Sequence, residues 1–263
     1  MLPRTVAPGQ RWDDRSVIEA EVDLTTPEGT MKTFIFHPEV GGPRPVVLYL
    51  MDAPSIRPAL KEMAARLASA GYYVMLPFLF YRGSEFREFG TSDDDMHLRR
   101  ELMGTVTPAG TVSDAGVLLE HAERDPAADT SRFGLVGFCM SGGLTLSVAK
   151  AYPDRAVAAA SIHAAWLVRD TPDSPHLDLE QATAEVYIGW PDADPTCPEE
   201  WRPTVTGALD AAGLTWTMDT YADAVHGYAP PGTERYNRAA SEQHWERVHD
   251  LFLRNLLVPH VAG

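Results

Sequence analysis

Two periodicities divide this chain. Between Glu19 and Pro38 apolar and polar residues alternate around a Pro27-Glu28-Gly29 turn, which predicts an antiparallel hairpin at the edge of a sheet. Further on the alternation gives way to short, nearly unbroken apolar runs bounded by turn residues: PVVLYL (45–50), YYVMLPFLF (72–80), RFGLVGF (132–138), AVAAASI (156–162), EVYIGW (185–190) and TWTMDTY (215–221). Runs of this kind predict strands buried on both faces. The segments between them, 57–72, 111–124, 142–153, 198–213 and 234–257, carry helical spacing. Strand and helix in alternation build a mostly parallel sheet with helices on both faces. In open sheets of this type the ligand crevice lies beyond the carboxyl ends of the strands, so reactive residues are expected just after the apolar runs.

Composition narrows the class. With 263 residues, 44% of them hydrophobic, the chain can bury one large core, and a single domain over 1–263 is expected, with 1–15 as an N-terminal extension. A net charge of −15 opposes nucleic acid and anionic lipid. The apolar stretch 156–168 is broken by His163 and falls short of the roughly 20 residues that span a bilayer. The first residues, MLPRTVAPGQRWDD, lack the apolar segment of a signal peptide, so a cytoplasmic location is expected. Cys139 and Cys197 are expected to remain unpaired. No metal or organic cofactor is implied, and monomer and homodimer stay open.

The chemistry concentrates in GLVGFCMSGG (134–143). Gly137-Phe138-Cys139-Met140-Ser141 has the small-x-nucleophile-x-small form of a nucleophile elbow and lies between a predicted strand and a predicted helix. A thiol there meets unpaired backbone N–H groups, which favour its thiolate. Ser141 also fits the pattern, in Cys139-x-Ser141-x-Gly143, but the strand run ends at Phe138, so the sharp turn falls on Cys139. Carboxylates Asp192 and Asp194 follow a later strand, and His226 follows the last one. Nucleophile, acid, base is the chain order of α/β-hydrolase triads.

From about Ser16 to Leu257 the sequence resembles the dienelactone hydrolase family of α/β-hydrolases. The resemblance is carried by GFCMSGG, by HGY (226–228) where the family usually has His-Gly-Phe, and by LASAGYYVMLPFLFYR (67–82). It implies the α/β-hydrolase fold and esterase activity on a small ester or lactone, with Cys139 as nucleophile and His226 as base. Asp194, followed by Pro195 and Pro198 as in the family's Asp-Pro-x-x-Pro, is implied as the orienting acid, leaving Asp192 a loop carboxylate. The oxyanion is expected to meet the backbone N–H groups of Ala53 and Met140. Asp52 stands where the family commonly has a glutamate that helps ionise the thiol, and Arg82 matches an arginine that contacts the substrate carboxylate. A second such arginine is missing, its position being Pro230. Arg235 lies beyond it, expected to pair on the last helix or else to replace the missing cation.

Other residues receive plainer expectations. SDDDMHLRR (92–100) is read as a solvated loop or cover rather than a metal site. His163 is expected in the core with its hydrogen bonds satisfied, or touching the pocket. Cys197 is given no catalytic role, although it lies three residues past Asp194. A different class of function, a binding or redox-sensing protein using Cys139 as an oxidisable thiol, needs neither His226 nor an aspartate.

Overall fold

In the computed structural model, which describes residues 16–258, the hairpin strands β1 (Val17–Thr26) and β2 (Gly29–Pro38) pair antiparallel from Val17 opposite Pro38 to Thr26 opposite Gly29. The proposed extension 1–15 lies outside the described residues. Next come β3 (Arg44–Leu50), helix α1 (Pro58–Ser69), β4 (Tyr73–Pro77), α2 (Asp93–Met103), α3 (Pro108–Ala122), β5 (Ala128–Phe138), α4 (Leu144–Ala151) and β6 (Ala156–Ile162). The chain closes with β7 (Glu185–Pro191), α5 (Arg202–Ala211), β8 (Trp216–Tyr221) and α6 (Arg238–Phe252). One eight-stranded sheet results, ordered β1-β2-β4-β3-β5-β6-β7-β8, parallel from β4 to β8 with the hairpin antiparallel at one edge.

The apolar runs are buried as their composition requires. Val46 to Leu50 of β3 and Phe133, Leu135 and Val136 of β5 are sealed from solvent, between helices that turn their own apolar stripes inward. No described helix is long and apolar enough to cross a membrane.

Two segments differ from the sequence reading. The run 72–80 ends as a strand at Pro77, and Phe78, Leu79 and Phe80 continue as a buried turn whose Phe80 carbonyl accepts from the N–H groups of Gly83 and Ser84. Phe78 still donates its N–H to the Lys32 carbonyl of β2 at 2.8 Å, whereas the apolar character of Leu79 and Phe80 reflects burial in the turn. The segment read as a solvated loop, 92–100, forms the cap and most of α2. Its signal is polar rather than apolar: Ser92 caps the Asp95 N–H, and Asp93, Asp94 and Asp95 lie in the first turn, where the helix dipole favours negative charge. Among the described residues, no cluster of His, Cys, Asp and Glu forms a metal-binding group.

Candidate active site

The elbow is set by β5. Cys139 follows Phe138 directly and has a left-handed backbone, φ 56°, a region that non-glycine residues seldom occupy outside functional turns. The residues around it must be small. A Cβ on Gly137 would overlap the Ser141 carbonyl oxygen and lie 2.8 Å from the Thr145 methyl group, and one on Gly142 would overlap Ala164. Two backbone bonds clamp the Cys139 carbonyl, from Gly142 N–H at 3.1 Å and from Ala165 N–H at 2.9 Å.

Ser141 is occupied elsewhere. Its hydroxyl, fully buried, donates to the Leu50 carbonyl at 2.9 Å and accepts from the Phe138 N–H at 3.1 Å, tying the elbow to the end of β3.

The loops after β7 and β8 bring the other two groups to the thiol. They are joined by Asp192 N–H to the Tyr221 carbonyl at 3.2 Å and Ala193 N–H to the Ala224 carbonyl at 3.1 Å. Across this junction His226 Nδ1 bonds Asp194 Oδ2 at 2.6 Å, while His226 Nε2 lies 2.9 Å from Cys139 Sγ. Asp192 is exposed, whereas Asp194 is only 5% exposed.

Thr196 completes the hydrogen bonding of the Asp194 carboxylate and was not singled out from sequence. Its N–H and hydroxyl donate to Asp194 Oδ1 at 2.8 and 2.7 Å, and its Oγ1 lies 2.8 Å from His226 Nδ1. The available signal was its place two residues after an aspartate, the spacing of an Asx turn.

Electrostatics follow from these contacts. Burial opposes charge on His226, but the Asp194 carboxylate and the Cys139 sulfur outweigh it and raise the imidazole to about 10. Burial likewise opposes ionisation of Asp194, and its bonds from His226 and Thr196 win, holding it below the usual carboxylate range. A raised imidazole gives stability that is complete below about 6.5 and is lost as pH rises through about 10. The unfolding free energy of the wild type relative to His226→Gln should therefore shrink between those limits in denaturant titrations. A difference that stays constant with pH would remove the imidazolium from the folded state.

A cavity of about 620 Å³ opens over the thiol, lined in part by Ala53, Pro54, Met96, Met103, Trp166 and Pro230. Asp52 is on its wall but is gripped by Arg57, with Nη1–Oδ1 at 2.7 Å and Nη2–Oδ2 at 2.9 Å. Burial pushes the Asp52 carboxyl up, and Arg57 opposes that shift. Met140 follows Cys139 and faces a small adjoining recess.

Arg82 is placed elsewhere. Its guanidinium donates to Asp114 Oδ2 at 2.9 Å, to Asp114 Oδ1 at 2.8 Å, to Glu28 at 2.7 Å and to the Gly110 carbonyl at 3.2 Å, and it does not line the cavity. Its side chain is 11% exposed and that of Asp114 only 2%, so this is a buried structural pair. The cations that do reach the cavity besides Arg57 are Arg99 and Arg100 of α2, and Arg235. Arg235 precedes α6 and forms no ion pair along it among the described residues. Its Cδ packs at ordinary van der Waals distance, 3.6 Å, from where a Cβ on Gly227 would be, and Gly227 itself has φ 84°, a left-handed backbone that favours glycine beside His226. Arg99 Nε is buried with no hydrogen-bond partner among the described residues.

His163 lines the cavity yet is fully buried, with its ring 5.3 Å from that of His226. Neither ring nitrogen has a partner among the described residues, unlike the satisfied core histidine expected. Burial, with His226 and His244 nearby, holds it well below its ordinary range and so neutral. Cys139 and Cys197 are both free thiols. Cys197 is buried in an apolar cluster with Trp190, Val205 and Leu209, and burial pushes its thiol well up.

A sharp turn with a cysteine at the end of a central strand, with an aspartate and a histidine brought to it by later loops of a mostly parallel sheet, has the arrangement of an α/β-hydrolase fold. The chain belongs to the dienelactone hydrolase family, whose model matches residues 31–256. It is 26% identical over 91% of its length to a Methylorubrum extorquens protein named "Putative carboxymethylenebutenolidase", covering 82% of that protein. It is also similar to the carboxymethylenebutenolidase of Rhodococcus opacus, covering 81% of this chain and 82% of that one. Its fold matches a Klebsiella pneumoniae structure named "Putative Dienelactone Hydrolase" with a TM-score of 0.81 at 22% identity, over 91% of this chain and 99% of that one.

Proposed function

We propose that this protein hydrolyses a small ester or lactone, of the dienelactone or carboxymethylenebutenolide type, through an acyl-thioester on Cys139. The observation that carries this reading is the continuous contact from Cys139 Sγ to His226 Nε2 at 2.9 Å and from His226 Nδ1 to Asp194 Oδ2 at 2.6 Å. His226 takes the thiol proton, and the thiolate attacks the substrate carbonyl. The N–H groups of Ala53 and Met140 receive the oxyanion. Collapse of the tetrahedral adduct breaks the ester C–O bond, and the leaving oxygen takes the proton from His226. A water then gives its proton to His226 and attacks the thioester, releasing the acid and restoring the thiol.

The test is a stopped-flow assay with p-nitrophenyl acetate followed by intact-mass analysis. One equivalent of p-nitrophenolate should appear in a burst, with an acetyl group on Cys139. Absence of Cys139-dependent turnover across short esters and lactones would sink the reading.

Arg82 supports the sheet edge rather than the substrate in this reading. Removing one partner of a buried pair strands the other, so Arg82→Met should destabilise the fold by about 3 kcal/mol. The kcat/KM ratio of a short acid substrate to its methyl ester should persist in Arg82→Met and fall about tenfold in Arg99→Met, the loss of one charge-assisted bond. Chemical denaturation and paired kinetics read the two effects separately.

A further inference from the structure

The catalytic cavity does not end at Trp166. A second cavity of about 360 Å³ adjoins it, and Arg100, Met103 and Trp166 line both. Arg169, Thr107 and Asp173 complete the far side that matters here. Neither Arg100 nor Arg169 has a carboxylate within ion-pair distance among the described residues, so with Asp173 the far cavity carries a net positive charge. At 620 Å³ the near cavity already lies within the range that houses drug-sized ligands, before the far one is added.

Trp166 stands at the junction in an unusual state. It is 39% exposed and has φ 62°, which a bulky residue adopts only where its surroundings enforce it. Its neighbour Ala165 donates its N–H to the Cys139 carbonyl at 2.9 Å, so the loop carrying the indole is fixed to the nucleophile turn. The backbone that carries the indole is therefore tied to the turn that bears the sulfur.

We infer that Trp166 divides a two-chamber site, and that the far chamber, with Arg100 and Arg169, takes the anionic end of an elongated substrate whose ester lies at Cys139. This rests on the hydrolase reading and extends it from a small ester to an arm-bearing one with a terminal carboxylate. The arm passes the indole face, Met103 supplies apolar contact, and the terminal anion meets two guanidinium groups that outnumber the one carboxylate, Asp173, lining the far cavity and form no ion pair among the described residues. Arginine suits that end because its planar fork matches a carboxylate.

The test uses two ester series running from succinyl to dodecanedioyl, one with the carboxylate arm on the acyl side and one with it on the alcohol side. Each free acid is paired with its methyl-capped twin, so that the acid-to-capped kcat/KM ratio cancels any general loss in a variant. In the wild type the ratio should rise with arm length by about tenfold or more in at least one series, as expected for charge-assisted bonds at the far end. It should flatten in Arg100→Met/Arg169→Met and in Trp166→Ala, while Trp166→Phe keeps the length dependence. Calorimetry of the same pairs on Cys139→Ala reads binding without turnover. Length-dependent binding without hydrolysis would overturn the hydrolase reading and leave the two chambers standing. Hydrolysis of short esters with no length dependence in either series, or a dependence untouched by the double variant, would overturn the two-chamber site.

Discussion

Cys139→Ala should lower turnover of any ester substrate by about 10⁶-fold, the scale on which removing the nucleophile of an acyl-transfer triad acts. Ser141→Ala should instead retain most of the turnover and lose stability. The Ser141 hydroxyl bridges the Phe138 N–H and the Leu50 carbonyl inside the core, so its removal leaves buried backbone groups short of a partner, a loss of about 1–3 kcal/mol. Kinetics at a temperature well below each variant's midpoint separate the two effects. The reverse pattern, with Ser141→Ala inactive and Cys139→Ala active, would transfer the nucleophile to the serine.

The second large effect belongs to Asp194. Exchanging a triad carboxylate for an amide turns the histidine into the wrong tautomer, and turnover falls by about 10⁴-fold. Asp194→Asn should show this loss, because its Oδ2 fixes the proton on His226 Nδ1 at 2.6 Å. Asp192→Asn, on the exposed side of the same loop, should keep near wild-type kinetics. Thr196→Val should fall between them, since Asp194 keeps its His226 bond but loses a hydroxyl at Oδ1. A steady-state pH profile of kcat/KM completes the comparison: the basic limb in Asp194→Asn should move down, as His226 loses the carboxylate that raises it. Equal, mild losses at both aspartates would mean that the orienting acid lies elsewhere.

The sequence was most informative where one physical demand dominated. Strands sealed on both faces must be apolar, which made β3, β5, β6 and β7 readable. A sharp turn must be flanked by small residues, which located the elbow. The segment 78–80 was misread because a buried turn needs the same apolar residues as a strand. α2 was missed for the opposite reason: only Leu102 in it is fully buried, so its start is written in a cap and three acidic residues rather than in an apolar stripe. Arg82 shows a further limit. Its segment fits the family pattern, but Asp114, 32 residues away, decides where the guanidinium points, and sequence spacing carries no trace of that partner. The cavity arginines depend in the same way on how the loop before α6 and the helix α2 fold over the sheet.

The buried Cys197 makes the chain a gauge of its own opening. A thiol sealed among Trp190, Val205 and Leu209, with burial holding it in the neutral form, cannot react until that cluster parts. Native protein should thus consume one equivalent of an aromatic disulfide reagent quickly, at Cys139, and a second only at the rate set by local unfolding between β7 and α5. The slow equivalent, followed against denaturant, reports the free energy of separating those two elements without any engineered cysteine or label. Because Cys197 N–H is bonded to the Asp194 carbonyl at 3.2 Å, that same rate also measures how firmly the turn presenting the acid is held.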